Sequence, residues 1–137
     1  MGIDRFGKVS FTSETKADAF VTYLEQGKVM ATRCRKCGTG YFPPKMDCPR
    51  CLDSEVEWFE VAGKGRLLTY SVVDYGPTGF EDDVPYILAL AGFGDELQLF
   101  GRLSRDIEVI DIEIGMELKA VPLKLPGDRI AYEFQRA

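Results

Sequence analysis

The four cysteines of the chain all lie in one short stretch, RCRKCGTGYFPPKMDCPRC, as two Cys-x2-Cys pairs separated by ten residues. Each pair can form a tight turn that points two sulfur atoms in the same direction. Two such turns together supply the four thiolates that Zn²⁺ binds as a tetrahedron. The spacing therefore predicts one structural zinc ion per chain, although iron in a rubredoxin-like site would use the same four ligands. The predicted ligands are Cys34, Cys37, Cys48 and Cys51.

Four cysteine ligands close the coordination sphere of a zinc ion, whereas a catalytic zinc keeps one position open for water. The chain also has no histidine. With all four thiols bound to metal, it lacks both a thiol nucleophile and the commonest general acid–base. Its densest acidic run, at residues 81–83, is typical of a solvated loop. We therefore expect no catalytic residues in this chain.

An N-terminal arm and one amphipathic helix precede the cysteines. Apolar residues recur at i, i+3, i+4 and i+7, which predicts a helix from about Ser13 to Gln26 that ends at Gly27. The helix should dock on the rest of the fold or on a partner. The residues of this apolar stripe are Ala17, Phe20, Val21 and Leu24.

Five segments with strand character follow from residue 58 onward, and no strong helical pattern separates them. Leu97, Leu99 and Leu103 alternate along one segment, and Pro122 predicts an edge or a bulge in another. The fold class is therefore mainly β, with an arm and helix over residues 1–30, a zinc ribbon over 31–57 and a five-stranded OB-fold-like barrel over 58–137. An SH3-like barrel is the main alternative. The five segments are GRLLTYSVVDY, VPYILALAGF, LQLFGRLS, MELKAVPLKL and RIAYEFQRA.

Charge divides the chain into a basic and an acidic part. Residues 28–50 carry six Lys or Arg against one acid, whereas residues 51–137 carry 17 acids against 8 bases. An anionic ligand should therefore bind at the cysteine segment or its border. No apolar run is long enough to span a bilayer, and the N-terminus lacks the apolar core of a signal peptide. We expect a cytoplasmic protein without a membrane partner.

The order of these motifs resembles one family. The cysteine segment, then EWFEVAGKGRLLTYSVV, PYILALAGF and IGMELKAV, together with the turn at residues 42–44, resembles the rubredoxin-type zinc-ribbon/OB-fold proteins that accompany thiolases and other acyl-CoA enzymes. The resemblance covers roughly residues 15–137. It implies a non-catalytic accessory subunit that forms a hetero-oligomer with a thiolase-fold catalytic subunit, or with a hot-dog-fold hydratase, and that helps to bind acyl-CoA.

Coenzyme A carries several phosphate groups on a long neutral arm, so the resemblance makes the basic ribbon a candidate site for it. The candidate residues are Arg35, Lys36 and Lys45 for the phosphates and Phe42 for the adenine. The alternatives are that these bases only balance the charge of the metal centre, and that Phe42 packs the ribbon against the barrel.

The loop DYGPTGFEDDVPY, residues 74–86, has an apolar tip at Pro77 and Phe80, which predicts contact with a partner. Alternatively, it folds back over the barrel.

Two other function classes remain open. A zinc ribbon joined to an OB-like barrel is typical of single-stranded nucleic-acid binding, but the acidic barrel opposes a polyanion and we expect no nucleic-acid partner. A self-sufficient acyl-CoA hydrolase or transferase would need carboxylates as its catalytic groups.

Overall fold

The computed structural model describes residues 5–8, 17–94 and 97–137, which form one helix and eight strands. The helix, α1, spans Ala19–Glu25, and a short 3-10 helix spans Val109–Asp111. The strands are β1 (Met30–Cys34), β2 (Gly40–Tyr41), β3 (Val56–Glu60), β4 (Gly65–Val73), β5 (Tyr86–Phe93), β6 (Leu97–Arg102), β7 (Glu117–Leu125) and β8 (Arg129–Arg136).

Helix α1 buries the apolar stripe that its sequence predicts. Three of its four predicted residues, Phe20, Val21 and Leu24, are buried, and the helix packs against β1 and β8. The fourth, Ala17, is half-buried in the turn before the helix, which begins only at Ala19. Gly27 follows with a φ of 85°, a left-handed conformation that glycine adopts without strain and that commonly ends a helix. The predicted start at Ser13 lies outside the described residues. No helix in the described ranges is long and apolar enough to cross a membrane.

The ribbon is a three-stranded antiparallel sheet in the order β2-β1-β3. Strand β3 pairs with β1 along its whole length, from Met30 opposite Glu60 to Cys34 opposite Val56. The predicted border between residues 57 and 58 therefore falls inside β3, and the ribbon sheet continues to Glu60. This pairing connects the metal-binding turns to the segment that leads into the barrel.

The other five strands form an antiparallel sheet in the order β6-β5-β4-β7-β8, which closes into a barrel. Leu103, just after β6, forms a parallel bridge with Phe134 of β8, and the amide of Ser104 donates to the Phe134 carbonyl at 2.8 Å. The first strand of the barrel therefore pairs with the second and fourth, and the third closes on the fifth, as in an OB-fold. The predicted fold class is confirmed, and the SH3-like alternative is wrong.

The barrel core follows the predicted alternation of apolar residues. Leu99 and Leu103 are buried, as are Leu67, Leu118 and Phe134 from the other strands. Strands β6 and β8 approach each other closely because β6 carries Gly101. A Cβ on this residue would lie 2.9 Å from Cε2 of Tyr132 in β8. Residues 117 and 118 are the part of β7 that pairs with β4, so within the described part of the chain Pro122 has a strand partner only on its β8 side, as predicted for an edge.

Candidate metal centre and its surroundings

The four predicted ligands meet at one point between the two cysteine turns. Their sulfur atoms all lie within 4.8 Å of one another, and the Sγ atoms of Cys37 and Cys48 are 3.6 Å apart. Zn–S bonds of ordinary length place the sulfurs of a tetrahedral site about 3.8 Å apart. Cys34 and Cys48 are buried, while Cys37 is exposed and Cys51 is half-buried. The donor set and its spacing fit a structural zinc ion.

Backbone hydrogen bonds shape both turns in the same way. The amide of Gly38 donates to the Cys34 carbonyl at 2.9 Å, and the amide of Leu52 donates to the Cys48 carbonyl at 2.8 Å. Both residues take a left-handed conformation, with φ angles of 77° for Gly38 and 57° for Leu52. Glycine adopts this conformation freely, whereas a leucine there is strained. The second turn therefore carries a strained residue, and its side chain is 89% exposed.

Neighbouring backbone holds the turns in place. Cys34 ends β1, and its amide donates to the Thr39 carbonyl at 3.0 Å. The amide of Cys48 donates to the Asp53 carbonyl at 2.8 Å, and that of Arg35 donates to the Glu55 carbonyl at 3.0 Å. Because Glu55 directly precedes β3, the pairing of β1 with β3 brings the two turns together.

Polar side chains surround the sulfurs. The Tyr41 hydroxyl lies 3.2 Å from Sγ of Cys48, and the Thr39 hydroxyl lies 3.1 Å from Sγ of Cys37. The guanidinium of Arg50 donates to the Thr39 hydroxyl at 3.3 Å. The role of Tyr41 could not be predicted from sequence, because it depends on the register of β2 against β1, whereas the contact of Thr39 with Cys37 is local to the first turn. Such contacts orient ligands and lower the charge density on thiolates.

These contacts alter the acidity of the metal-free thiols. Hydrogen bonds from the side chain and backbone of Thr39 lower the pKa of Cys37 to about 6. The hydrogen bond from Tyr41 lowers the pKa of Cys48, and the same bond raises the pKa of Tyr41 to about 12. A hydrogen bond to Cys37, together with burial, raises the pKa of Cys51 to about 12. The site therefore contains thiols with lowered pKa values and one with a raised pKa. A thiol that is still protonated must release its proton when zinc binds.

Three of the residues suggested for coenzyme A lie on the ribbon surface. Arg35 and Lys36 are exposed on the first cysteine turn. Lys45 is exposed as well, with its ammonium 5.2 Å from the centroid of the Tyr41 ring. Its backbone is fixed, because its amide donates to the hydroxyl of buried Thr32 at 2.9 Å and that hydroxyl lies 2.8 Å from its carbonyl. Their binding to coenzyme A remains a prediction.

The fourth suggested residue, Phe42, lies where the ribbon, the helix and the barrel meet. Its ring centroid is 5.8 Å from that of Phe20 in α1 and 5.2 Å from that of Tyr132 in β8, both edge to face. Phe6 of the arm stacks on Tyr132 at 6.1 Å. These four rings are called the aromatic junction below. Phe42 is half-buried there, so only part of its ring is open to a ligand.

The loop at residues 74–86 folds back on the barrel through Asp83. The carboxylate of Asp83 pairs with Lys8 and with Arg102 of β6, both at 3.1 Å. Burial alone would raise the pKa of Asp83, but the hydrogen bonds from Lys8 and Arg102 outweigh it and the pKa is lowered. The Arg105 guanidinium also donates to the Asp83 carbonyl at 2.7 Å.

Phe80 faces the protein instead of standing free at the loop tip. Its ring is half-buried, lies 5.6 Å from the charged groups of both Lys8 and Arg102, and lines a cavity of about 510 Å³ beside β6 and β8. Pro77 is exposed, and Tyr75 is 81% exposed. Tyr75 was missed in the sequence because Phe80 was the more apolar residue of the loop.

Comparison with known proteins identifies both parts of the chain. Residues 22–57 match the ChsH2 rubredoxin-like zinc ribbon domain, and residues 58–122 match the ChsH2 C-terminal OB-fold domain. A DUF35 domain-containing scaffold protein of Methanocaldococcus jannaschii is 36% identical over 101 residues, which are 73% of this chain and 71% of the relative.

Two further relatives match more of the chain. The benzoylsuccinyl-CoA thiolase subunit BbsA of Geobacter metallireducens is 27% identical over 126 residues, which are 90% of this chain and 81% of that subunit. The solved structure of the Ltp2-ChsH2(DUF35) aldolase superposes with a TM-score of 0.74 at 26% identity, covering 92% of this chain and 98% of the matched one. The resemblance seen in the sequence is confirmed, and the chain belongs to the DUF35 family, in which a ChsH2-type zinc ribbon is joined to a ChsH2-type OB-fold domain.

Proposed function

We propose that this protein is a non-catalytic accessory subunit of a thiolase-type acyl-CoA complex, which makes or breaks a carbon–carbon bond beside a coenzyme A thioester. The observation that carries the proposal is the match along nearly the whole chain to a benzoylsuccinyl-CoA thiolase subunit and to the Ltp2-ChsH2(DUF35) aldolase. This chain would stabilise the complex in the cytoplasm, where reducing conditions keep its thiols available for zinc.

The composition of the chain supports this division of labour. It has no histidine, and its four thiols lie together in the metal centre. A thiolase-type reaction needs a nucleophile and a general base, which a thiolase-fold catalytic subunit would supply. The closed four-sulfur centre would hold zinc to fix the ribbon, and it leaves no ligand position for a substrate.

The ribbon would help to bind the coenzyme A thioester. Arg35 and Lys36 are exposed on a turn that bound zinc would hold rigid, and the backbone of Lys45 is fixed through Thr32. Cations on a rigid surface bind phosphate at a lower entropic cost than cations on a mobile loop. Phe42 would offer an adenine ring only the part of its surface that the aromatic junction leaves open.

The loop at residues 74–86 would contact the catalytic subunit. Pro77 and Tyr75 are the exposed residues there, while Phe80 would contribute from the edge of its cavity. Nucleic acid is a poor alternative partner because residues 51–137, which include the barrel, carry 17 acids against 8 bases.

The proposal can be tested by purifying the tagged chain from its native host and sequencing what co-purifies in fixed stoichiometry. A thiolase-fold protein with its own active-site cysteine would support the proposal. A hot-dog-fold hydratase would instead change the reaction class, and submicromolar, strongly salt-dependent binding to single-stranded DNA would favour the nucleic-acid alternative.

A further inference from the structure

Among the described residues, strand β4 has one edge that is paired only at its beginning. Its pairing with β5 runs from Arg66 to Val73, but its pairing with β7 is limited to Gly65 and Arg66. Leu67 adds two bonds on that side, one to the carbonyl of Met116 and one from the amide of Gly115. From Thr69 to Val73, no described residue pairs with this edge. Unpaired strand edges are templates for another strand.

The backbone groups that point to this edge belong to Tyr70 and Val72. The Ile87 carbonyl accepts a hydrogen bond from the amide of Leu103, so the backbone N–H and C=O of Ile87 point away from β4. Val72 lies opposite Ile87. Two residues opposite each other in an antiparallel pair either exchange both backbone hydrogen bonds or both point their N–H and C=O groups away from the partner strand. Val72 therefore points its N–H and C=O outward, and Tyr70, two residues earlier, does the same.

Apolar side chains accompany these backbone groups. Tyr70 and Val72 are 37% and 38% exposed, although their cross-strand partners Ala89 and Ile87 are buried in the core. Ile114, which is 63% exposed, lies next to Gly115, where the pairing of β4 ends. The connection between β6 and β7, residues 103–116, also carries Ile110, which is 91% exposed. Among the described residues, the unpaired part of β4 therefore carries exposed apolar side chains of its own.

Acidic side chains lie along the same connection and at the end of β4. Glu108, Asp111 and Glu113 are exposed among the isoleucines of the connection, and Asp74 directly follows β4. Only one of these four acids has an ion pair among the described residues, a bond of 3.8 Å between Asp111 and Arg136. A second copy of this chain would bring the same acids against them, whereas a basic segment would be attracted.

We propose that the edge of β4 from Thr69 to Val73 receives an extended segment of the catalytic subunit as an added strand. The segment carries alternating apolar side chains that cover Tyr70 and Val72, with Lys or Arg beside the acidic connection. Main-chain hydrogen bonds give affinity in this mode of binding, and alternate side chains give specificity. The inference rests on the proposed function, because it names the surface that the catalytic subunit uses.

Amide hydrogen exchange tests the edge directly, on the free chain and on its complex with the co-purified catalytic subunit. In the free chain, the amides of Tyr70 and Val72 should exchange fast and those of Thr69 and Ser71 slowly, because the latter bond to β5. In the complex, Tyr70 and Val72 should become protected by about tenfold or more. Protection of both amides in the free chain that grows with its concentration would indicate a second copy and overturn the proposal.

A proline at Val72 gives an independent test. Val72→Pro removes an amide that has no partner within the sheet, so the barrel keeps its ladder and binding should weaken by about tenfold or more. Val72→Thr keeps the backbone donor and should bind within about threefold of wild type. If the complex forms with Tyr70 and Val72 unprotected and the proline variant binds normally, this surface is wrong while the proposed function stands. If no thiolase-fold subunit binds wild type, the proposed function itself fails.

Discussion

The ring of Phe42 meets the ring of Tyr132 edge to face, with the two centroids 5.2 Å apart. This contact joins the ribbon to the last strand of the barrel. Tyr132 also donates its hydroxyl to the Phe100 carbonyl, and burial raises its pKa to about 12, so it remains a donor at physiological pH. The metal-binding segment and the barrel therefore share one packed junction.

Phe42→Ala should lower the free energy of unfolding by about 2 kcal/mol, because it removes a half-buried ring and two edge-to-face contacts. The metal ligands are untouched, so the zinc content should stay near one per chain. Denaturant unfolding gives the first quantity and metal analysis the second. Phe100→Ala is the control, because that side chain is more than half exposed. Equal stability of the two variants would contradict the structural role of Phe42.

Cys48→Ser should abolish tight zinc binding and disorder the ribbon, while the barrel stays largely folded. Cys48 is a buried member of the four-sulfur cluster, whereas most residues of the apolar core, among them Leu67, Leu99, Leu118 and Phe134, belong to the barrel. Metal analysis of reduced wild-type protein should give about one equivalent of zinc, and backbone NMR should show loss of structure only in the ribbon of the variant. Wild-type protein with no bound metal, or with disulfides under reducing conditions, would contradict the assignment.

Glycine should be the more stable residue at the left-handed position of both cysteine turns. Leu52→Gly should raise stability by up to about 1 kcal/mol, since it relieves a left-handed leucine, and Gly38→Ala should lower it by about 1 kcal/mol. A Cβ on Gly38 would meet no atom within 4 Å, so that cost is purely conformational. Thermal unfolding of the zinc-loaded protein measures both effects. Gly40→Ala is the control, because Gly40 has no left-handed conformation; a loss there as large as at Gly38 would contradict the explanation.

Asp83 should make stability depend on pH in the acid range. Its lowered pKa means that its pairs with Lys8 and Arg102 stabilise the fold above the ordinary carboxyl pKa near 4, and that this contribution is lost as pH falls through the lower folded value. Asp83→Asn should therefore cost about 1 kcal/mol at neutral pH and progressively less in acid. Exposed Asp82→Asn is the control, and parallel pH profiles for wild type and Asp83→Asn would refute the role.

Charge reversal at Arg35 and Lys36 should raise the KM for the coenzyme A substrate of the complex by about tenfold and leave assembly intact. Both side chains are exposed on the first cysteine turn, so their change disturbs no packing. Steady-state kinetics and gel filtration of the complex separate the two effects. Reversal at exposed Lys119 and Lys124 on the barrel is the matched control. An unchanged KM would remove this turn from the coenzyme A site.

Local patterns predicted much of this fold. The cysteine spacing predicted that the four cysteines come together, and the alternation of Leu99 with Leu103 predicted a barrel strand, because both signals depend on neighbours in sequence. The contribution of Trp58 and its neighbours to the ribbon sheet was not predicted, because it depends on pairing with a strand more than twenty residues earlier.

Long-range contacts also explain why the exposed residues of the loop at 74–86 were only partly predicted. Phe80 is the obvious apolar residue in the sequence, yet it is half-buried beside Lys8 and Arg102, and Tyr75 is the aromatic side chain of the loop left most exposed. The edge of β4 that no described residue pairs with could likewise not be predicted, since it results from how little of β7 pairs with that strand.

The central claim, that this chain assists catalysis without performing it, is tested most directly by acyl-CoA turnover in three samples: the zinc-loaded chain alone, its co-purified partner alone, and the reconstituted complex. We predict no turnover by the chain alone and full turnover only by the complex. Robust turnover by the isolated chain, free of partner by mass spectrometry, would contradict the account.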